Sequence, residues 1–220
     1  MGQGSFCICE WDSVNKSNSM FQRSMADLDA KMITKCNTEW KPKTFNVNMA
    51  LSPGEGNYGR TTILPALFDD HSGNVMDITG GGGDPNATWR QLFTVAGHQM
   101  IIQGCRAAET IPENMKVAWA GLAFPNKQQH VTEFRYQIGD RKYGRINIEE
   151  MQCYNKPAII FEEGYILDEE ESFHLYAFIE GPIPTAHDGY AGVHQRIVML
   201  GATYYNVISK VLGVPGTPIP

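Results

Sequence analysis

The feature that most constrains the fold of this chain is a change in the spacing of its apolar residues. Before Lys43 the apolar side chains recur with the period of an α-helix, and from Lys43 onward they alternate with polar side chains, as in β-strands. A helix buries one stripe and a strand buries every second side chain, so the two patterns cannot serve one element. The sequence therefore predicts one N-terminal helix followed by a mainly β unit.

The helical pattern lies between Asn18 and Cys36. Its apolar residues are spaced by four, three, four and four positions and form one stripe: Phe21, Met25, Leu28, Met32 and Cys36. Ser17 or Ser19 can cap the start of the helix. The stripe allows two roles, which are to cover a face of the following domain or to dock on a neighbouring subunit. For the second role, the predicted contact residues are Phe21, Met25, Leu28 and Met32.

Two-residue alternation is clearest in two segments that predict half-buried strands. One runs through Thr132, Phe134, Tyr136 and Ile138, turns at Gly139-Asp140 and returns through Ile146 and Ile148; the other is Phe173, Leu175, Ala177 and Ile179. The segment 116–124 is apolar on both faces, which predicts a strand that is covered on both sides. Shorter predicted strands are 43–51, 60–68, 88–96, 98–105, 157–161 and 193–200, whereas 202–212 would also suit a helix.

Turn signals separate these strands, and no helical pattern alternates with them. We therefore predict an antiparallel β-sandwich, most simply a single jelly-roll, rather than a parallel α/β fold. The predicted organisation is an N-terminal arm with one helix at 1–42, a β-sandwich at 43–212 and an extended Pro/Gly tail at 213–220.

Composition limits the classes of partner. The net charge of −6 argues against strong direct binding of nucleic acid, which depends on Lys and Arg at phosphates. No apolar run approaches the roughly 20 residues of a membrane-spanning helix, so we expect no transmembrane segment. The five cysteines, at positions 7, 9, 36, 105 and 153, have no repeated spacing that indicates a disulfide framework or a zinc site.

No motif in the sequence indicates an enzyme. The glycine run at 80–83 lacks the Lys and Ser or Thr that complete a phosphate-binding loop, and the Gly-x-Ser-x-Gly of many hydrolases is missing. Histidines never occur as His-x-His, the pattern of cupin metal sites, and the nearest cluster is His187-Asp188 with His194. We therefore expect no catalytic activity, metal or cofactor.

Carboxylates bracket the short predicted strand 165–167. Consecutive carboxylates repel one another and require water or a cation. A solvated hairpin turn, an oxygen-ligand calcium site and a salt-bridged subunit contact all satisfy that requirement. The candidate cation or salt-bridge residues are Glu162, Glu163, Asp168, Glu169, Glu170 and Glu171.

The segment 155–181 reads NKPAIIFEEGYILDEEESFHLYAFIEG. Its order of strand, glycine, acidic turn and strand resembles the paired strands near the end of jelly-roll capsid, spike and related virion proteins. The resemblance covers the β portion of the chain. It implies a self-assembling structural protein, a capsid or virion shell or vertex component, located in the virion and assembled in the host cytoplasm. Its implied partners are other copies of itself and other virion proteins.

The two ends of the chain refine this expectation. Residues 1–45 hold six Lys or Arg against five acids, so such an arm cannot condense a genome, and the genome of such a virion would be screened from it. The tail cannot pack on itself, and proline costs little entropy when an extended segment is fixed. We expect tail docking on neighbours through Val214, Pro215, Pro218 and Ile219.

Two other functions are compatible with a β-sandwich. A ligand- or glycan-binding module of the phage tail or spike type would use exposed aromatic side chains such as Trp89, Tyr143 and Tyr190. A cupin-type metal enzyme would use His187 and His194, although the missing His-x-His argues against it.

Overall fold

The computed structural model describes residues 6–9, 19–40, 58–68, 88–104, 110–154, 156–183 and 192–206. Two α-helices, one short 3-10 helix (Pro65–Leu67) and twelve strands are assigned in these ranges. The helices are α1 (Ser19–Glu39) and α2 (Glu149–Tyr154). The strands are β1 (Phe6–Cys9), β2 (Tyr58–Thr62), β3 (Arg90–Phe93), β4 (Gly97–Gln103), β5 (Met115–Ala123), β6 (Val131–Ile138), β7 (Arg141–Lys142), β8 (Ile146–Asn147), β9 (Ala158–Leu167), β10 (Phe173–Ile179), β11 (Val193–Arg196) and β12 (Val198–Asn206).

The strands form two antiparallel sheets and a short ribbon. Sheet I has the order β1-β9-β5-β12-β2, and sheet II has the order β4-β10-β6-β7, with β8 also paired to β6. Strands β3 and β11 pair separately as the ribbon. The predicted fold class, a mainly β antiparallel sandwich with an N-terminal helix, is confirmed.

Eight of the strands pair as a nested series. In chain order these eight are β2, β4, β5, β6, β8, β9, β10 and β12. The first pairs with the last, the second with the seventh, the third with the sixth and the fourth with the fifth. The chain is thus arranged as one long hairpin folded over into two sheets.

The main core lies between the two sheets. Trp119 of β5 is fully buried there, and its ring centroid lies 4.9 Å from that of Tyr136 and 5.3 Å from that of Phe173, both of sheet II. Edge-to-face contacts of this kind are a favourable geometry for aromatic rings. The opposite face of β5 is buried as well, because α1 covers sheet I. The prediction that this strand is covered on both sides is confirmed.

Strand β9 differs from the sequence interpretation. The sequence predicts a break at Glu162-Glu163-Gly164, but β9 is one strand that bulges there. Its register with β5 shifts between Trp119 and Gly121, and Gly164 has a φ of +65°. Glycine tolerates this conformation at no steric cost, so the additional residues fit as a bulge rather than ending the strand.

Other elements also depart from the sequence interpretation. Helix α2 was not predicted, and β1 belongs to the predicted arm but pairs with β9 of sheet I. The ambiguous segment at 202–212 is strand as far as Asn206. The predicted strand at 43–51 and the glycine run at 80–83 lie outside the described residues.

Candidate functional site

The stripe of helix α1 packs on the outer face of sheet I. Leu28 and Met32 are 1% and 0% exposed, Met25 is buried, and Phe21 is half-buried. They face small side chains on β5 and β12, namely Ala118, Ala120 and Ala202, together with Tyr204. Of the two roles that the sequence allows, the structure shows the first, because the helix covers a face of the chain's own domain. A contact between subunits through these four residues stays a prediction.

The bulge in β9 fits the middle of the helix. A Cβ atom at Gly164 would overlap Leu28. The Ser24 hydroxyl, fully buried, donates a 2.8 Å hydrogen bond to the carbonyl of Phe161, beside the bulge. A bulge takes residues out of the regular ladder, and a buried backbone carbonyl needs another donor. Ser24 supplies that donor from the helix.

A buried lysine joins the end of the helix to the sandwich. Lys116 begins the apolar run of β5 and its side chain is 1% exposed. Its Nζ lies 2.7 Å from Glu39 Oε2 and 3.8 Å from Glu169 Oε1, and it also donates to Asp168. Lys35 lies 2.7 Å from Asp168 Oδ2 and 2.8 Å from Glu39 Oε1. We call these five residues the lysine cluster.

Trp40 closes the lysine cluster next to the helix end. Its indole Nε1 donates a hydrogen bond to Glu169, and Lys116 Nζ lies 5.4 Å from the centroid of its ring. Trp40 is 5% exposed, so this side of Lys116 is shielded from water. A buried ammonium group is tolerated only when it is paired, as it is here.

The charges in the lysine cluster are mutually stabilised. Burial by itself raises the pKa of Asp168, but the hydrogen bonds from Lys116 and Lys35 outweigh it and lower that pKa below its usual value. The pKa of Glu39 is lowered in the same way. Burial lowers the pKa of Lys116, but hydrogen bonds to Asp168 and Glu39 outweigh it and raise that pKa. Lys116 therefore stays protonated at neutral pH and offers no free amine for nucleophilic or base chemistry.

A second polar contact fixes the middle of the helix. Arg60 of β2 lies 3.0 Å from Asp29 Oδ2, and the Tyr204 hydroxyl of β12 donates to Asp29. Burial and then the hydrogen bond to Asp29 raise the pKa of Tyr204, so that its hydroxyl stays protonated as a donor. The helix is thus bound to sheet I by an apolar stripe flanked by two polar contacts.

The six predicted acidic residues have separate places. Asp168 and Glu169 belong to the lysine cluster, and Glu162 and Glu163 are exposed in the bulge of β9. Glu170 is exposed with a φ of +61°, and Glu171 accepts a 3.0 Å hydrogen bond from the backbone N–H of Asp168. The cations at this turn are lysines of the same chain. Among the described residues, no group of three or more His, Cys, Asp or Glu is placed to hold a metal ion.

Sequence reasoning missed Lys116, Lys35 and Trp40. The signal was a lysine at the start of a strand that is otherwise apolar on both faces, because such a lysine requires carboxylate partners. Two of those partners, Asp168 and Glu169, stood among the candidate acids, whereas Glu39 was unassigned. The i,i+4 spacing links Lys35 to Glu39 on the helix. Nothing in the spacing links that pair to positions 116 and 168, which meet it only in the folded chain.

The remaining predicted residues are placed only in part. The tail residues Val214, Pro215, Pro218 and Ile219 lie outside the described residues, as do His187 and Tyr190. Trp89 and Tyr143 are half-buried and pack against the main core. No helix in the described part of the chain is long and apolar enough to cross a bilayer.

Comparisons with protein-family models, with curated proteins and with solved structures find no significant match to this chain.

Proposed function

We propose that this chain is a structural subunit that assembles with copies of itself into a closed shell, as a capsid or as a shell or vertex component of a virion. The observation that carries the proposal is the nested pairing of the eight strands. Pairing of first with last, second with seventh, third with sixth and fourth with fifth is the connectivity expected of a jelly-roll. Jelly-rolls build viral shells, although the same fold also serves lectins and cupins.

The helix that covers sheet I supports assembly over the other uses of the fold. Sheet I is covered by α1, and the lysine cluster and the Asp29 contacts hold that cover in place. A shell subunit needs a rigid body, because closed symmetry requires the same contact geometry in every copy. A subunit with its helix fixed by buried contacts meets that requirement.

The surface offers candidate contacts for a neighbouring copy. Leu64 is 51% exposed and Val95 is 62% exposed, whereas most large apolar side chains of the described residues are buried. Exposed apolar side chains are inexpensive to leave in water singly, but they gain free energy when a neighbour covers them. We propose Leu64 and Val95 as contact residues, in addition to the predicted tail.

The rival functions have less support from the placed residues. A glycan-binding module needs aromatic faces open to solvent, but Trp89 is half-buried with its ring centroid 6.3 Å from that of Phe68. Tyr143 stacks on Tyr136 at a centroid distance of 4.6 Å. No specific observation favours the metal enzyme.

The test is the native mass of the untagged protein, measured by light scattering at micromolar concentration and followed by negative-stain electron microscopy. We expect a mass many times the 24.5 kDa of one chain and particles of uniform size. Leu64→Glu with Val95→Glu should lower that mass and leave the far-UV circular dichroism unchanged. The matched control is Thr62→Glu, since Thr62 is exposed and polar. A strictly monomeric protein at all concentrations would contradict the proposal.

A further inference from the structure

A basic cleft lies beside the ribbon formed by β3 and β11. It has a volume of about 340 Å³ and lies between the ribbon β3–β11 and the connection that joins β5 to β6. Its lining includes five side chains that carry or can carry positive charge: Arg90, Lys127, His130, His194 and Arg196. Neither the helix contacts nor the proposed assembly uses this cleft.

The register of the ribbon places like charges together. Arg90 is directly opposite Arg196, and Leu92 is directly opposite His194. Residues that face each other across an antiparallel pair project to the same side, and so do alternate residues within a strand. Arg90, His194 and Arg196 therefore share one face of the ribbon. Directly opposed like charges destabilise a strand pair, so this arrangement is unfavourable unless an anion offsets it.

The opposite wall of the cleft is fixed by side-chain hydrogen bonds. Asn126 accepts a 2.7 Å hydrogen bond from the backbone N–H of Arg196 and donates a 3.1 Å bond to its carbonyl. Gln195, which is 2% exposed, accepts from the backbone N–H of His130 at 3.1 Å and donates to the carbonyl of Gln128 at 2.9 Å. The connection and the ribbon are thus held at a set separation. A site that needs no reorganisation loses less free energy on binding.

The cleft is electropositive within an acidic protein. Its described lining contains no carboxylate, although the chain has a net charge of −6. Burial lowers the pKa of His194, and the positive charge of Arg90 lowers it further. The Nδ1 atom of His194 is buried with no hydrogen-bond partner among the described residues. Two guanidinium groups therefore line a cleft whose described lining holds no carboxylate to neutralise them.

We propose that this cleft binds the phosphate group of a small phosphorylated molecule. Guanidinium groups present paired donors that match the oxygens of a phosphate, and Arg90 and Arg196 would supply them. The volume lies at the lower end of the range for small-molecule sites. A polyanion instead requires a continuous basic track, and the adjoining pocket, which shares Lys127 with the cleft, adds only Lys156 to its described positive residues.

The test is calorimetric titration with three probes at low salt. Ribose 5-phosphate and inorganic phosphate carry the recognised group, and ribose is the uncharged control. We expect ribose 5-phosphate to bind with a dissociation constant of about 1 mM or tighter and ribose to give no heat. Equal affinity for inorganic phosphate would identify the free ion as the ligand, and weaker affinity would identify a phosphorylated metabolite; both support the shared chemistry.

Variants localise the binding to the cleft. Arg196 is exposed, so Arg196→Gln should fold normally and weaken ribose 5-phosphate at least tenfold. Arg90→Gln should have a similar effect, and Lys142→Gln, which removes an exposed charge from β7, should change the affinity less than twofold. Absence of binding by both phosphates would overturn the proposal. If neither phosphate binds but a single-stranded oligonucleotide of about ten nucleotides does, the cleft is instead part of a groove for a polyanion.

Discussion

At the scale of the residue, Lys116 is the one charged side chain that is buried in the described part of the chain. It is a charged side chain at 1% exposure within a strand whose other members are apolar or small. A buried charge is retained only when its partners replace the lost hydration, and Glu39, Asp168 and Glu169 do so. The carboxylates are partly exposed, so they can regain water if the lysine is removed.

We predict that Lys116→Met lowers the free energy of unfolding. A fully buried pair that loses one partner costs about 3–5 kcal/mol, and partial exposure of the carboxylates should bring the loss below that range. The measurement is urea unfolding at pH 7. Lys35→Met is the matched control, because Lys35 is 30% exposed and its loss should cost about 1 kcal/mol or less. Equal effects of the two variants would contradict the importance of burial.

The lysine cluster also predicts the direction of the pH dependence. The pKa values of Asp168 and Glu39 are lowered in the folded state, so their contribution is present above the unfolded pKa of about 4 and is lost as pH falls through the folded pKa. The raised pKa of Lys116 acts oppositely, since its contribution is present below about 10.4 and is lost at higher pH. Lys116→Met should therefore reduce the loss of stability between pH 7 and about 3.

At the scale of the element, the middle of helix α1 packs on the bulge in β9 rather than on a flat part of the sheet. Gly164 combines a φ of +65° with contact against Leu28, and Ser24 bonds the carbonyl of Phe161 beside it. The bulge and the helix face are thus complementary in shape and in hydrogen bonding. Changing either one should affect the other.

We predict that Gly164→Ala destabilises the protein by more than the roughly 1 kcal/mol of a left-handed alanine, because the added methyl overlaps Leu28. Adding Leu28→Ala should recover part of that extra cost, so a double-mutant cycle should give a coupling of about 0.5–3 kcal/mol. The matched control is Gly139→Ala. Gly139 has a φ of +55°, but only the flexible end of Glu171 lies near its Cβ position. Strict additivity at positions 28 and 164 would contradict the proposed fit.

Local periodicity explains which parts of this fold were predictable. The helix stripe and the alternation in β6 and β10 are set by neighbours in sequence, so the sequence predicted them correctly. The sequence predicts a break in β9, since Glu162-Glu163-Gly164 has the composition of a turn and only the pairing with β5 keeps it in the sheet. The basic cleft depends on Arg90 meeting Arg196 across the ribbon, and no local pattern reports that pairing.

At the scale of the whole molecule, the question is whether the helix and the sandwich form one cooperative unit. Cys36 lies on the buried stripe at 0% exposure, in the same cluster as Met32 and Trp40. The two polar contacts at Asp29 and Lys116 fix the helix at its middle and near its end. These contacts favour a helix that leaves the sheet only when the whole domain unfolds, so that the helix belongs to the body of the domain.

We predict that the Cys36 thiol is labelled only through global unfolding. Burial raises the pKa of Cys36 to about 11, so at pH 8 the thiol is both inaccessible and protonated. Cys153 is exposed and supplies the reference rate in the same sample. Peptide mass spectrometry over a urea series should give a Cys36 opening free energy equal to that of global unfolding, with the same dependence on urea. Lys116→Met should lower both free energies by the same amount.

Rapid labelling of Cys36 with little dependence on urea would mean that the helix detaches by itself, and its stripe would then be free to contact another subunit. Labelling by global unfolding alone would instead leave the proposed contacts between copies to other surfaces, such as those around Leu64 and Val95.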